Sequence, residues 1–405
     1  MTAGSARVTD VRVRGGTRGV LSLIEVTTGE GVTGIGATGS PVPAIDAIVR
    51  GCGLADLVIG EDPLEPRRLW RTMFQRWQAQ RGRGSEGGLA ANAMGAIDMA
   101  LWDLKGKLLD LPLHRLLGGA DADAAGAAST APPNSQPGSG GEDVPAYASG
   151  TAFQDAATLK SPDRLAAESD AIVQRGFHAL KFGWGAHFGD EDRDRLAAVR
   201  DAIGPEVRLM LDVGCPAYWS DGWSASAALR AARVAEQFDC HFLEEPLPPH
   251  EVAGHKEVTD RTTIDIATGE SLSTVYQFQP FIEQRAVDVV QPDAAQMGVT
   301  QAFEVAVNAR ERGMRCVPHG PWSALTVAAH LHILASVGAG GMVEYPGFDA
   351  LPESTAVPAH IAQFEIVEHP PELVDGHLRL SSRPGLGLGN FVEQGVRELE
   401  ADSRC

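Results

Sequence analysis

The sequence predicts an α/β fold: a modified (β/α)7β barrel of the TIM type with an α+β N-terminal capping domain that the C-terminal tail completes. Three observations predict it. Seven charged side chains, Lys181, Asp212, Glu244, Glu270, Asp293, His319 and Glu344, follow one another at intervals of roughly 23 to 32 residues, the length of one strand, loop and helix in such a barrel. Each closes or directly follows a short apolar run, as a buried parallel strand delivering a functional group to the carboxyl-terminal mouth would. Ahead of this ladder the chain runs strands first and helices second, the order of an α+β unit.

At 405 residues the chain exceeds one ordinary core, so a large domain and a smaller one are expected. Alternating apolar positions at 8–13 and 20–26, separated by Gly15-Gly16-Thr17-Arg18, read as a β-hairpin, and a third strand near 32–37 completes a meander. From 44 to 117 helical spacing takes over, clearest at 64–77 and 89–109. In the second of these, Ala93, Ala96, Ile97, Ala100, Leu101, Leu104 and Leu108 share one face, a core face whose alanines permit close packing. Residues 1–120 are therefore assigned to the capping domain.

Residues 121–143 are rich in Ala, Gly, Ser and Pro, and are expected to be a flexible linker or insertion. Val144-Pro145-Ala146-Tyr147-Ala148 then opens the barrel, assigned to 144–355. His178-Ala179-Leu180, Arg208-Leu209-Met210-Leu211 and His241-Phe242-Leu243 precede Lys181, Asp212 and Glu244. Runs at 264–268, 287–290 and 314–317 precede Glu270, Asp293 and His319, and the eighth strand ends at Glu344. Helices are read at 164–174, 192–203, 226–238, 300–312 and 323–337. The segment 356–405 is too short for a domain, so it is expected to return to the cap.

A net charge of −19 argues against nucleic acid or an anionic membrane as partner. Five cysteines without a CxxC pair suit a reducing compartment. The first ten residues contain no apolar leader core, and no run approaches the ~20 apolar residues of a membrane span, so a cytoplasmic location is expected. Gly34-Ile35-Gly36 and the glycines of 81–88 do not sit between a strand and a helix of a βαβ unit, which disfavours a nucleotide loop.

Any one acidic residue after a strand is commonly a helix cap; the register of all seven is what points to chemistry. Asp212, Glu244 and Glu270 come from three successive strands, and three carboxylates cannot share a partly desolvated site ionised without a cation. All-oxygen ligation favours a hard ion, and Mg²⁺ is the expected one; a cluster neutralised by Lys181 alone is the competing reading. Asp293 and His319 end neighbouring strands and can pair, the carboxylate fixing the tautomer of an imidazole that serves as general base. Lys181 is placed to neutralise a substrate carboxylate, and a protonated Glu344 to hydrogen-bond it. A carboxylic acid held in this way loses its α-proton more readily, because the metal and such donors stabilise the enediolate.

Lys181, Leu211-Asp212-Val213, Phe242-Leu243-Glu244-Glu245-Pro246, Thr268-Gly269-Glu270, Gln291-Pro292-Asp293, Val317-Pro318-His319-Gly320 and Val343-Glu344-Tyr345 together resemble the enolase superfamily, mandelate racemase / muconate lactonizing enzyme family, mandelate racemase subgroup. The resemblance covers nearly the whole chain. It implies Mg²⁺ on Asp212, Glu244 and Glu270, a His319–Asp293 dyad, Glu344 as a carboxylate-stabilising acid, and homo-oligomers from dimer to octamer. One departure is informative. Many members carry Lys-x-Lys on the second barrel strand, where this chain has Lys181-Phe182-Gly183.

Racemisation needs a base on each face of the enediolate, and glycine cannot be one. Dehydration can proceed with His319 alone, which takes the α-proton and returns it to the departing β-hydroxyl. The stretch around His319, with Leu247-Pro248-Pro249, is also similar to rhamnonate dehydratases. The expected activity is thus dehydration of a sugar-derived 2,3-dihydroxy acid to a 2-keto-3-deoxy acid, with a small anionic sugar acid as the partner. The alternatives are a cycloisomerase, a racemase or epimerase using Lys181 as second base, and a non-catalytic barrel scaffold. Trp184, His187, Tyr218, Trp219 and Trp322 are candidate loop contacts, and Gly15 to Arg18 with Cys52 to Gly60 candidate lids.

Overall fold

The computed structural model describes residues 6–15, 21–80, 87–118, 143–152, 158–214, 222–321, 323–338, 341–347 and 363–401. Three antiparallel strands come first, β1 (Val8–Arg14), β2 (Ser22–Thr28) and β3 (Thr33–Thr38), in that spatial order. Alternation turns Val11, Ile24 and Val26 to one buried face, and a register shift between Val8 and Asp10 brings Val8 to it as well. That face is covered by α1 (Val42–Asp46), α2 (Pro66–Gln80) and α3 (Leu89–Leu109). Here Gly34 and Gly36 find their reason: an added Cβ would lie 2.1 Å from the Ala100 carbonyl oxygen and 2.2 Å from that of Ala96. The pair allows a helix to lie directly on a strand.

After α4 (Leu113–Gly118), strands and helices alternate. The strands are β4 (Val144–Thr151), β5 (Ala179–Gly183), β6 (Arg208–Asp212), β7 (Cys240–Glu244), β8 (Asp265–Thr268), β9 (Val289–Val290), β10 (Arg315–Cys316) and β11 (Val343–Pro346). Between them run α5 (Pro162–Gln174), α6 (Arg193–Ile203), α7 (Ala225–Glu236), α8 (Val252–Arg261), α9 (Val275–Gln284), α10 (Ala294–Glu311) and α11 (Ala324–Val337). Neighbours from β4 to β10 pair in parallel, and β11 returns to pair with β4. This is a (β/α)7β barrel with a capping sheet.

One side chain from or directly beside each strand, Tyr147, Ala179, Met210, Phe242, Ala267, Val289, Val317 and Met342, joins a single buried apolar layer. Two residues further along, the twofold period turns Ser149, Lys181, Asp212, Glu244, Gly269, Gln291, His319 and Glu344 the same way. Most of the charge ladder is therefore the next layer up, lying on an apolar floor.

The tail does more than return to the cap. The hairpin β12 (Leu373–Val374) and β13 (His377–Leu378) adds antiparallel to β4, pairing Leu378 with Val144. Beyond it Leu386 N–H donates to Asp103 Oδ1 of α3 at 2.8 Å. The last helix, α12 (Glu393–Ala401), is tied to β1 by Arg14, which reaches Glu393 at 2.6 Å and Glu400 at 3.2 Å. The expected linker, apart from Asp143, lies outside the described residues, as do 16–18 of the hairpin turn.

Two barrel helices, α8 and α9, escape sequence reading because one is sparsely apolar and the other contains Pro280. Helix α10 starts six residues before the predicted 300, at Ala294, and is kinked at Gly298, whose φ is +77°. The kink lets α3 cross: a Cβ on Gly298 would stand 2.7 Å from Gly95 Cα, and one on Gly95 2.6 Å from Gly298 N. Asp98 caps the turn beyond it, accepting from Thr300 N at 2.7 Å and Thr300 Oγ1 at 2.6 Å. Gly298→Ala is expected to cost about 2–4 kcal/mol, from left-handed backbone and overpacking together. Gly313→Ala, also left-handed but facing open space, should cost only about 1 kcal/mol. Equal losses in denaturant titrations would remove the helix crossing as the cause.

Candidate active site

Lys181 is the electrostatic centre of the upper layer. Its Nζ lies 2.9 and 2.8 Å from the two carboxylate oxygens of Glu244, 3.2 Å from Glu344 Oε1 and 3.5 Å from Asp212 Oδ2. The Tyr147 ring lies beneath it, 5.6 Å from the ammonium to the ring centroid. Burial works against the charge, but Glu244 and Glu344 outweigh it and hold the Lys181 pKa well above the usual lysine value. In this arrangement Lys181 is a cation and not a base.

Asp212, Glu244 and Glu270 each bring an oxygen to within 4.8 Å of the others. Local sequence explains how. Asp212 Oδ1 is fixed by the Gly214 N–H at 2.7 Å. Glu270 follows Gly269, whose φ of +139° and crowding by Phe278 exclude a side chain. That turn is held by Glu245, which accepts from Thr268 Oγ1 at 2.7 Å and Gly269 N at 3.2 Å while its own φ is +51°. The Glu-Glu doublet thus divides its labour, one residue in the cluster and the next holding the neighbouring strand end.

Burial, reinforced by the negative charge of Asp212, pushes Glu244 up to about 7 despite Lys181. Burial also raises Glu270 well above the carboxylate range, against the pull of His319. An oxygen-only trio of which Glu244 and Glu270 ionise at such cost fits a hard divalent cation. Mg²⁺ affinity is therefore expected to weaken as pH falls below about 7, since a protonated Glu244 cannot ligate. Calorimetry in buffers of different ionisation enthalpy should find protons released on binding, and a pH-independent affinity would count against it. In the metal-free protein the raised Glu244 pKa favours folding on the acid side, a contribution lost as pH rises through about 7.

Across the mouth, His319 Nδ1 lies 3.2 Å from Asp293 Oδ2 and Nε2 3.2 Å from Glu270 Oε2. Asp293 also caps α10, its Oδ1 accepting from Ala295 N at 2.7 Å. The plain structural role and the dyad geometry coexist in one side chain. Burial disfavours an imidazolium, but Glu270 and Asp293 overcome it and raise His319 well above its ordinary value. Glu344 could donate to a substrate carboxylate only if protonated, and its present contacts oppose that. Burial would raise it, but Lys181, His319, the Gly320 N–H at 2.9 Å and the Ser149 hydroxyl hold it down to about 2, so it is a carboxylate here.

All seven ladder residues therefore meet at one barrel mouth, most of them buried or nearly so. Sequence reading missed Glu245, Ser149 and Tyr147, although the Glu244-Glu245-Pro246 doublet was a visible signal for the first. Trp184 is corrected: it is buried in the core, edge-on to Phe188 at 5.5 Å between ring centroids, and not a free loop contact. His187 is exposed, while Tyr218, Trp219 and Trp322 lie outside the described residues. From the 52–60 segment, Leu54, Ala55 and Val58 are buried in the core of the cap.

Comparison with known proteins agrees with this geometry. Residues 164–389 match the family model described as enolase C-terminal domain-like. Residues 9–118 match that of the mandelate racemase / muconate lactonizing enzyme N-terminal domain. The chain belongs to the mandelate racemase / muconate lactonizing enzyme family of the enolase superfamily.

It is 30% identical over 376 residues to a 3,6-anhydro-alpha-L-galactonate cycloisomerase of Streptomyces coelicolor, covering 91% of this chain and 88% of that protein. It is 29% identical over 387 residues to an L-talarate/galactarate dehydratase of Salmonella typhimurium, covering 95% and 83%. Among solved structures, a 3,6-anhydro-D-galactonate cycloisomerase from Zobellia galactanivorans superimposes with a TM-score of 0.77 at 25% identity, covering 98% of this chain and 100% of that one. Relatives of the chain thus include acid-sugar dehydratases and cycloisomerases. Among the described residues no helix is long and apolar enough to cross a membrane.

Proposed function

We propose that this chain is an acid-sugar dehydratase that removes the α-proton of a 2,3-dihydroxy acid and expels the β-hydroxyl, leaving a 2-keto-3-deoxy acid. The observation that carries this reading is asymmetry at the mouth. His319 with Asp293 stands on one side, while the second-strand position that could carry an opposing base is Gly183, beside a Lys181 already committed to Glu244 and Glu344. One base suffices for elimination and not for a two-base inversion.

Asp212, Glu244 and Glu270 would hold Mg²⁺, which when bound supplies positive charge beside the substrate carboxylate and offsets that of the enediolate. Lys181 would present its ammonium to the same carboxylate. With Glu270 engaged in holding the cation its pull on Nε2 would weaken, and the uncharged His319 would accept the α-proton there, with Asp293 stabilising the imidazolium through Nδ1. The electron pair left on the α-carbon then forms the enediolate. As the C–O bond at the β-carbon breaks, its electrons leave with the oxygen. His319 returns the proton to that oxygen, which departs as water, and the remaining enol rearranges to the ketone.

The cycloisomerase relatives favour a second reading. If the β-oxygen belongs to an anhydro ring, the same proton transfer opens the ring with no net loss of water. A panel of aldonic, aldaric and anhydro acids, with keto products trapped by semicarbazide and weighed by mass spectrometry, separates the two. A product lighter than its substrate by one water marks the dehydratase, an isomeric product the cycloisomerase. No product and no α-proton exchange from any acid would leave a non-catalytic barrel.

A further inference from the structure

Behind the dyad lies a second histidine. His330, on α11, is wholly buried; its Nε2 accepts the Ala294 N–H at 2.9 Å and stands 3.8 Å from Asp293 Oδ1. An imidazole nitrogen that accepts a hydrogen bond carries no proton, so a neutral His330 must carry its proton on Nδ1. Burial favours the uncharged ring, pushing His330 down to about 4 although Asp293 pulls the other way.

The placement matters because the first turn of α10 presents several N–H groups and Asp293 has only two oxygens. Oδ1 takes the Ala295 N–H at 2.7 Å, and the Ala294 N–H goes to His330. Oδ2 is left for His319. We propose that His330 is a positioning residue for the His319–Asp293 pair: by taking the Ala294 N–H with an uncharged nitrogen, it reserves one Asp293 oxygen for His319. A cationic side chain at this place would share the carboxylate and weaken its hold on His319. A side chain with no acceptor would leave Asp293 facing two adjacent N–H groups. The catalytic meaning of this arrangement rests on His319 being the general base, as proposed above.

Two measurements test it on the full chain. The first needs no substrate: nitrogen-15 NMR of histidine-labelled protein at neutral pH, with the His330 signals identified by their loss in His330→Gln. An uncharged ring protonated at Nδ1 is expected, and an imidazolium or the opposite tautomer overturns the proposal. The second is turnover of whichever acid the panel identifies. His330→Leu should lower kcat about 10- to 100-fold with KM unchanged, the scale seen when an outer partner of a site residue is removed.

His330→Gln, whose carboxamide oxygen can accept from Ala294, should recover most of that loss. Equal loss in both variants, or a loss borne by KM, overturns it. If His330→Leu does not fold, the glutamine variant decides alone: near wild-type kcat supports the role and a hundredfold fall removes it. If the panel yields no turnover, the general-base reading fails while the NMR result still judges the placement of His330.

Discussion

Replacing His319 with asparagine is expected to lower kcat by about 10²- to 10⁴-fold, the usual contribution of a positioned general base. Asparagine can still donate to Asp293 but has no nitrogen that takes up a proton, so the hydrogen-bonded frame survives and the proton transfer does not. KM should change little, because Lys181 and the carboxylate trio remain. The decisive readout is exchange of the substrate α-proton with deuterated solvent. Wild-type protein should wash deuterium into the α-carbon or release product, and His319→Asn should do neither. Undiminished exchange in the variant would place the base elsewhere and reopen the reading of Lys181 as a base.

The second large effect is expected at Glu270. Glu270→Gln removes one of the three converging oxygens that carry charge and should weaken Mg²⁺ binding by at least about 100-fold, beyond the range for an outer partner of a ligand. It also removes the carboxylate 3.2 Å from His319 Nε2, the largest of the influences that raise that imidazole. His319, then held up chiefly by Asp293, should titrate at a lower pH in the variant. The sign follows from linkage: an imidazole raised in the folded state stabilises the fold at low pH, and that stability fades as pH climbs through its folded-state value. Losing Glu270 moves the fading to lower pH. Calorimetric Mg²⁺ titration and pH-dependent melting together check both halves, and unchanged Mg²⁺ affinity would dissolve the trio as a metal centre.

The charge ladder was legible in sequence because each functional residue lies within or just beyond the carboxyl-terminal half of a short apolar run, and the βα unit repeats that placing at a nearly constant interval. Lys181 through Glu344 could be placed at one mouth for that reason alone, without knowledge of a single contact. Glu245 and His330 were not legible in the same way. Glu245 acts through a left-handed turn that reaches the next strand, and His330 sits in an apolar helix, Ala328-Ala329-His330-Leu331, where nothing marks it as facing Asp293.

The protonation of Glu344 was not legible, because it turns on contacts with Lys181, His319 and the Gly320 N–H that come from outside its own strand. Helices α8 and α9 were missed because amphipathic spacing is weak in one and interrupted by Pro280 in the other. The tail's return to the cap followed from its length, but its hairpin on β4 came from register that sequence does not reveal.

The ammonium of Lys181, paired at once with Glu244, Glu344 and Asp212, offsets part of the charge of the acidic pocket before any divalent ion arrives, and the raised pKa values of Glu244 and Glu270 relieve more of it. Folding and loading are therefore expected to be separable events: a freshly synthesised chain should reach its native shape where the divalent ion is scarce and stay competent until supply recovers. Chelator treatment should accordingly silence such a protein without melting it, and restoring the ion should revive it without a refolding delay.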